Sequence, residues 1–258
     1  MATWDPAAYL AFADYRTRPF LELIAAVDLD AASVRTIVDL GCGPGHLTRY
    51  LRQRWPRARI VGVDSSPEMI ARARERDEEN VEYLVATATQ WRPDEPVDLV
   101  ISNAMFQWID DQWSALDGVL DYLAPRGTLA VGVPDNSAQP AHRLLYELAD
   151  REPYAAHLVG ARRLAHLGPE RYLRFFTERG MRVNAWSTTY LQVLTGDDPV
   201  FTWISGTGAR PFLEGLDGSM REQFADEYKA LLREAYPTEP FGTLFPFTRT
   251  FAVASRAS

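Results

Sequence analysis

The segment Asp39-Leu40-Gly41-Cys42-Gly43-Pro44-Gly45 sets a carboxylate just ahead of three glycines at alternate positions. Glycine has no Cβ, so a chain with Gly41, Gly43 and Gly45 can turn sharply and lie close against a ligand. The spacing is G-x-G-x-G, which departs from the G-x-G-x-x-G of a dinucleotide loop. Asp39 separates the two cases further, because a carboxylate there repels a pyrophosphate and suits the amino group of a methionine moiety. About twenty residues on, Asp64 closes an apolar run, where a carboxylate can accept both hydroxyls of a ribose. The chemistry these residues call for is binding of S-adenosylmethionine. Met69 follows on the next helix and can pack on an adenine or in the core. Cys42 is counted with the glycines among the cofactor-binding residues, as a small residue that fits the turn.

Such a loop needs a strand before it and a helix after it. Arg35 to Leu40 reads as a short buried strand ending at the glycines, and His46 to Trp55 as the helix beyond them. Ile60 to Asp64 is a second strand. Ser66-Pro67 opens another helix, with serine as cap and proline in the first turn. Val81 to Val85, Val97 to Ser102 and Thr128 to Val133 are further apolar strands, and Asp111 to Tyr122 is a helix. Strands alternating with helices at this spacing predict a doubly wound α/β fold with a mostly parallel seven-stranded sheet. Glu170 to Arg179 reads as a helix, Met181 to Leu194 as a long strand and Thr248 to Ser255 as the last strand. The organisation expected is one domain over 1–258. Residues 1–30 form an N-terminal helical segment broken at Pro19, with apolar positions Leu10, Tyr15, Leu21 and Ile24. Residues 31–136 form the cofactor-binding core, and 137–167 and 195–245 are helical cap insertions.

Composition narrows the partners. The chain of 258 residues has a net charge of −8, with 47% hydrophobic and 24% charged residues, as in an ordinary globular protein. The acidic balance argues against a nucleic-acid partner. No apolar run reaches the ~18 residues of a membrane span, and the start of the chain lacks the pattern of a signal peptide, so a cytoplasmic location is expected. One cysteine excludes an internal disulfide framework and a cysteine-rich zinc site, and no metal is called for. Lys229 is the single lysine, so any anion site must be built from guanidinium groups, which suit bidentate carboxylate binding. Oligomeric state is not legible in the sequence.

A family resemblance covers nearly the whole chain. Trp4-Asp5-Pro6 with Tyr9-Leu10 and Phe12, then Arg16-x-Arg18-Pro19, resembles the opening of the trans-aconitate 2-methyltransferases. So do the glycine loop, Asp64-Ser65-Ser66-Pro67-x-Met69-Ile70, Asn103-Ala104 with Gln107-Trp108, and Pro134-Asp135-Asn136. Trp186-x-Thr188-Thr189-Tyr190, Trp203-Ile204 and Phe245-Pro246-Phe247 with Arg249 continue the likeness. The resemblance implies methyl transfer to a carboxylate of trans-aconitate or a close tricarboxylic acid, giving a monomethyl ester and S-adenosylhomocysteine. It adds Ser65, Thr87, Ala88 and Asn103 to the cofactor contacts. Two positions depart from the family pattern. Thr87 stands where an acidic residue would receive the adenine amino group, which predicts weaker cofactor binding. Thr248 stands beside Arg249 where the family pairs two basic residues, which predicts an acceptor with fewer carboxylates if that pair binds them.

A carboxylate acceptor is already ionised at neutral pH, with an ordinary pKa near 4, so no general base is required. His46 is expected to be structural or to touch cofactor, and His142, His157 and His166 to lie on the surface. The acid's remaining carboxylates need cations, for which Arg16, Arg18, Arg210 and Arg249 are available. Trp108 and Tyr190 can wall the pocket, and Asn136 lies at the carboxyl edge of the sheet, where ligands bind in this architecture. Two other functions fit the same residues. One is methylation of a different small acid or a metabolite hydroxyl, and the other is a non-catalytic S-adenosylmethionine-binding protein.

Overall fold

The structure is a computed structural model that describes residues 13–76 and 79–256, with side chains from Thr17 onward. The N-terminal motif residues Trp4 to Phe12, with Leu10, lie outside the described residues, as do the side chains of Tyr15 and Arg16. The chain divides into two compact units. The first comprises 1–134, 167–187 and 250–258, and the second 135–166 and 188–249.

In the first unit, β1 (Thr36–Leu40), β2 (Arg59–Asp64), β3 (Val81–Val85), β4 (Val97–Asn103) and β5 (Leu123–Pro134) form the parallel part of the sheet. The full order is β3-β2-β1-β4-β5-β8-β6, with β6 at Met181–Leu194 and β8 at Gly242–Arg256. A two-residue β7, Thr238–Glu239, pairs antiparallel with β8 off that path. The order reverses between β1 and β4, which makes their carboxyl ends the switch point where ligands bind in open α/β sheets. β1 is buried along nearly its whole length, as a parallel strand covered on both faces must be. Helices α1 (Ala13–Ala25), α2 (Thr48–Arg54), α3 (Pro67–Arg74), α4 (Gln112–Leu120) and α6 (Pro169–Thr177) complete this unit. The second unit holds α5 (Pro140–Ala149), α7 (Pro199–Ser205), α8 (Arg210–Glu214) and α9 (Gly218–Ala235), with part of β6 and of β8. There α9 packs on α5, where Tyr228 Oη donates to Ala141 O at 2.7 Å and Ala141 N donates to Tyr236 Oη at 3.0 Å.

Four expectations need correction. Pro19 does not break the first helix, which runs through it from Ala13 to Ala25. The ~3 kcal/mol an interior proline costs is offset by burial of Phe20, Leu23 and Ile24, each contributing about 1.5–3 kcal/mol. Leu21 is not on the buried stripe but exposed. The helix after the glycine loop starts at Thr48, so His46 belongs to the loop and is buried there. The last strand starts at Gly242, not Thr248, because the turn to β7 sets its register (Glu239 opposite Gly242) and Pro240 and Pro246 conceal it in the sequence. Among the described residues no helix is long and apolar enough to cross a membrane.

Candidate active site

The loop after β1 is built around three left-handed glycines: Gly41 has φ +81°, Gly43 +55° and Gly45 +70°. A side chain is costly at each, but for different further reasons. A Cβ on Gly41 would fall 2.5 Å from the Met105 side chain, and one on Gly45 would fall 2.7 Å from Tyr83 Oη. A Cβ on Gly43 would meet nothing within 4 Å. Two of the glycines therefore serve packing inside the protein, and Gly43 alone offers bare backbone to open space. Backbone hydrogen bonds hold this shape: Gly41 N and Cys42 N both donate to Val63 O, at 2.7 and 3.1 Å. Arg76 Nε donates to Pro44 O at 2.9 Å. Cys42 is buried, with its Sγ against Gly62 of β2.

Two carboxylates, Asp39 and Asp64, flank this loop closely enough for the charge of Asp64 to act on Asp39. Asp39 is buried, and its Oδ2 accepts from Thr48 Oγ1 at a long 3.5 Å. Burial first, then the neighbouring Asp64 charge, push its pKa up to about 7 against the Thr48 hydrogen bond. Asp64 accepts from Gly43 N through Oδ2 and from Ser66 N through Oδ1, both at 2.9 Å. Its pKa is also raised, by burial, with the backbone donors at Ser66, Gly43 and Ser65 working the other way. A buried acid beside a half-buried one, both with raised pKa values, wants a cation. An ammonium group beside Asp39 would satisfy it, and a pyrophosphate would not. The residues present thus fit the methionine end of S-adenosylmethionine. Asp64 keeps lone pairs for ribose hydroxyls beyond its backbone donors.

The other residues expected to touch cofactor follow the carboxyl ends of β2, β3 and β4. Ser65 is exposed beyond β2, and Ser66 caps α3 by accepting from Met69 N at 3.2 Å. Met69 itself is buried. Thr87 and Ala88 are half-buried in the turn after β3, which Ala86 N ties to Asp64 O at 2.9 Å. The Thr87 hydroxyl donates to Gln90 Oε1 at 3.0 Å, so an adenine amino group would have to use its remaining lone pair. Asn103 ends β4, buried, and the next residue, Ala104, is left-handed at φ +61°. A non-glycine residue in that region costs about 1–2 kcal/mol, and here it turns the chain out at the switch point. Ala104, Met105 and Tyr83 were not legible as site-shaping residues, because no local pattern marks what they pack against.

The expected acceptor residues are distributed differently. Trp108 lies in the first unit, half-buried in a 3-10 turn after β4. Arg18 is also there, exposed and paired with Glu22 at 2.9 Å. The second unit holds Asn136, Tyr190, Arg210 and Arg249. Arg249 and Tyr190 are buried. Arg210, at the start of α8, has its side chain 24% exposed and pairs with Glu214 at 2.7 Å. Asn136 spends its carboxamide on the backbone of Thr248, donating from Nδ2 to Thr248 O (3.0 Å) and accepting at Oδ1 from Thr248 N (2.8 Å). Thr248 Oγ1 meets Thr189 Oγ1 at 2.9 Å, on the opposite face of the strand from Arg249. A basic residue at 248 would not share the Arg249 face, so Thr248 removes no cation from it.

The histidines need one correction. His142 is not on the surface: it sits on the buried face of α5, and burial lowers its pKa to about 4, so it stays neutral. His166 lies at the surface with Nδ1 3.0 Å from Asp135 Oδ1, and His157 is exposed.

Comparison with known proteins fits this geometry. The family model for a methyltransferase domain matches residues 37–127, the stretch from β1 into β5. The trans-aconitate 2-methyltransferase of Streptomyces coelicolor is 48% identical over 98% of this chain and 87% of its own length. The chain belongs to the trans-aconitate 2-methyltransferase family. Family members from Mycobacterium tuberculosis and Azoarcus are each 43% identical, over 97% and 99% of this chain and 96% and 100% of theirs. As a member it is an enzyme that uses S-adenosylmethionine as methyl donor. Solved structures share the fold. YcgJ from Bacillus subtilis superposes with a TM-score of 0.57 at 15% identity, covering 93% of this chain and 98% of that one. The plantazolicin methyltransferase BamL gives 0.54 at 14%, covering 97% and 90%.

Proposed function

We propose that this enzyme transfers a methyl group to one carboxylate of trans-aconitate, releasing the monomethyl ester and S-adenosylhomocysteine. Near-full-length identity of 48% to a relative of that name carries the reading. A buried arginine, Arg249, in a unit that also holds the half-buried Arg210 supports it.

The cofactor, when bound, supplies an electrophilic methyl group on a sulfonium. One carboxylate oxygen of the acceptor forms a bond to that carbon as the carbon–sulfur bond breaks, the electron pair stays on sulfur, and no proton moves. The chain's work is therefore to bind and align. Asp39 holds the ammonium end, Asp64 the ribose, and the bare backbone at Gly43 allows close approach. Arg249 and Arg210 hold the carboxylates that do not react. No histidine is needed as base, and His142, with its pKa lowered by burial to about 4, is a weak one. Alignment of this kind supplies on the order of 7–11 kcal/mol of the barrier. We assign residues 137–167 and 195–245, together with Arg249 of β8, to reading the acceptor and 31–136 to holding the cofactor.

The test is turnover of trans-aconitate by purified enzyme with methyl-labelled cofactor. Label in a monomethyl ester supports the reading. No turnover on any tricarboxylate, with cofactor still bound, sinks the acceptor assignment and leaves the methyltransferase class standing.

A further inference from the structure

Within the second unit, Thr188–Leu194 of β6 and Gly242–Arg249 of β8 form an antiparallel ribbon. Thr189 lies beside Thr248, and Gly242 sits against Leu194 and Thr195, so the same register holds along its length. Side chains alternate across such a ribbon, and opposed residues share a face. Thr189, Leu191, Val193 and Leu244 point to the exposed face. Tyr190 and Gln192 share the other face with Phe245, Phe247 and Arg249, and all but Phe247 are buried there. The Trp203 ring of α7 lies over it, 6.0 Å from Phe245 and 5.6 Å from Phe247.

Gln192 is only 3% exposed, and its Oε1 meets no hydrogen-bonding partner among the described residues. Native proteins pair nearly all such atoms, so a buried carboxamide with an open position on the face that also carries a buried arginine calls for a ligand. We propose that the Gln192 carboxamide is a second reader of the acceptor acid, hydrogen-bonded to a carboxylate that is not methylated while Arg249 holds another. This rests on the acceptor class proposed above and says how one more of its acid groups is recognised.

The spacing suits that class. Arg249 stands opposite residue 188, four residues along β6 from Gln192, which is about 13 Å of strand. Both side chains can reach inward along that span, and what remains between them is the length of a small polyacid, with Tyr190 midway. A half-turn of the carboxamide exchanges oxygen for N–H, so the open position can offer a donor to a carboxylate. A neutral amide also reads one acid group without adding charge to the face.

The experiment compares wild type with Gln192→Leu, which keeps the reach and removes the polar atoms. On a tricarboxylate we expect KM to rise roughly 10- to 100-fold, the loss of one hydrogen bond to a charged group. kcat should stay within about twofold, with unchanged cofactor affinity and a Tm equal to or above wild type. On dicarboxylates lacking the group that Gln192 reads, the penalty should vanish. An unchanged KM on the tricarboxylate, an equal penalty on every acid, or a parallel loss of cofactor binding would each overturn the assignment. If Gln192→Leu fails to fold, Gln192→Met answers the same question. A wild type that neither binds nor methylates any polycarboxylate would defeat the acceptor reading and this inference with it. Wild-type turnover matched by Gln192→Leu would defeat this inference alone.

Discussion

The cofactor loop of the first unit and the ribbon face of the second are both buried polar surfaces, built on opposite electrostatic principles. The loop concentrates negative charge: burial and the Asp64 charge raise Asp39's cost of ionising, against one Thr48 hydroxyl, while burial raises that of Asp64 against its backbone N–H donors. The ribbon concentrates a cation and neutral polar groups, Arg249, Tyr190 and Gln192, among aromatic rings. Under the proposed function, one region takes an ammonium group and the other carboxylates. The buried Asp39 is costly to the folded protein by itself, a cost that binding sites commonly carry.

The largest effect that could break this contrast is at Arg249. Arg249→Met should raise KM for the acid about 10²- to 10⁴-fold, because removing one partner of a buried charge pair costs ~3–5 kcal/mol. Steady-state kinetics at saturating cofactor would show it. The mirror experiment is Asp39→Asn, which should weaken cofactor binding about 10- to 100-fold and leave the acid side alone. It carries a second signature. Asp39 has a folded pKa of about 7 against an ordinary 3.8, so the folded protein disfavours the charged form. That costs nothing below pH 4, and stability is lost as pH rises through 7, by up to about 4 kcal/mol. Without cofactor, Asp39→Asn should therefore melt higher than wild type at pH 8 and no higher at pH 4. Equal melting curves at pH 8 would contradict the buried charge.

A smaller effect concerns wild type alone. Cofactor affinity should fall as pH drops below about 7, approaching tenfold per unit as Asp39 protonates, and level off above it. Calorimetry near pH 7 in buffers of different ionisation enthalpy should show net proton release on binding. The smallest contrast is within the loop. Gly41→Ala should destabilise more than Gly43→Ala, since only the former adds a clash, with Met105, to the left-handed strain. Gly43→Ala should act mainly on cofactor affinity. Thermal melts and binding isotherms of the two variants separate these roles.

The loop was readable because its chemistry is local: three glycines and a preceding acid at fixed spacing need only the strand and helix beside them. Strands β3 and β6 were readable too, with the ends the sequence suggested at Val81–Val85 and Met181–Leu194. What stayed hidden depends on neighbours distant in sequence. Met105 decides Gly41 and Tyr83 decides Gly45. The packing of Phe20 and Leu23 carries α1 through Pro19. His142 is polar by type, and the burial of α5 makes it a core residue. Thr248 looked like a lost charge beside Arg249, but adjacent strand residues point to opposite faces. Gln192 had a signal, being the polar residue on the inward side of Tyr190-Leu191-Gln192-Val193-Leu194, yet only the ribbon shows that its oxygen is open.

The division of labour between the two regions is tested most directly by calorimetry on Arg249→Met, titrated once with S-adenosylmethionine and once with trans-aconitate in the presence of S-adenosylhomocysteine. The expected result is wild-type affinity for the cofactor and a loss of about a hundredfold or more for the acid. Wild-type affinity for both, or loss of both together, would contradict it.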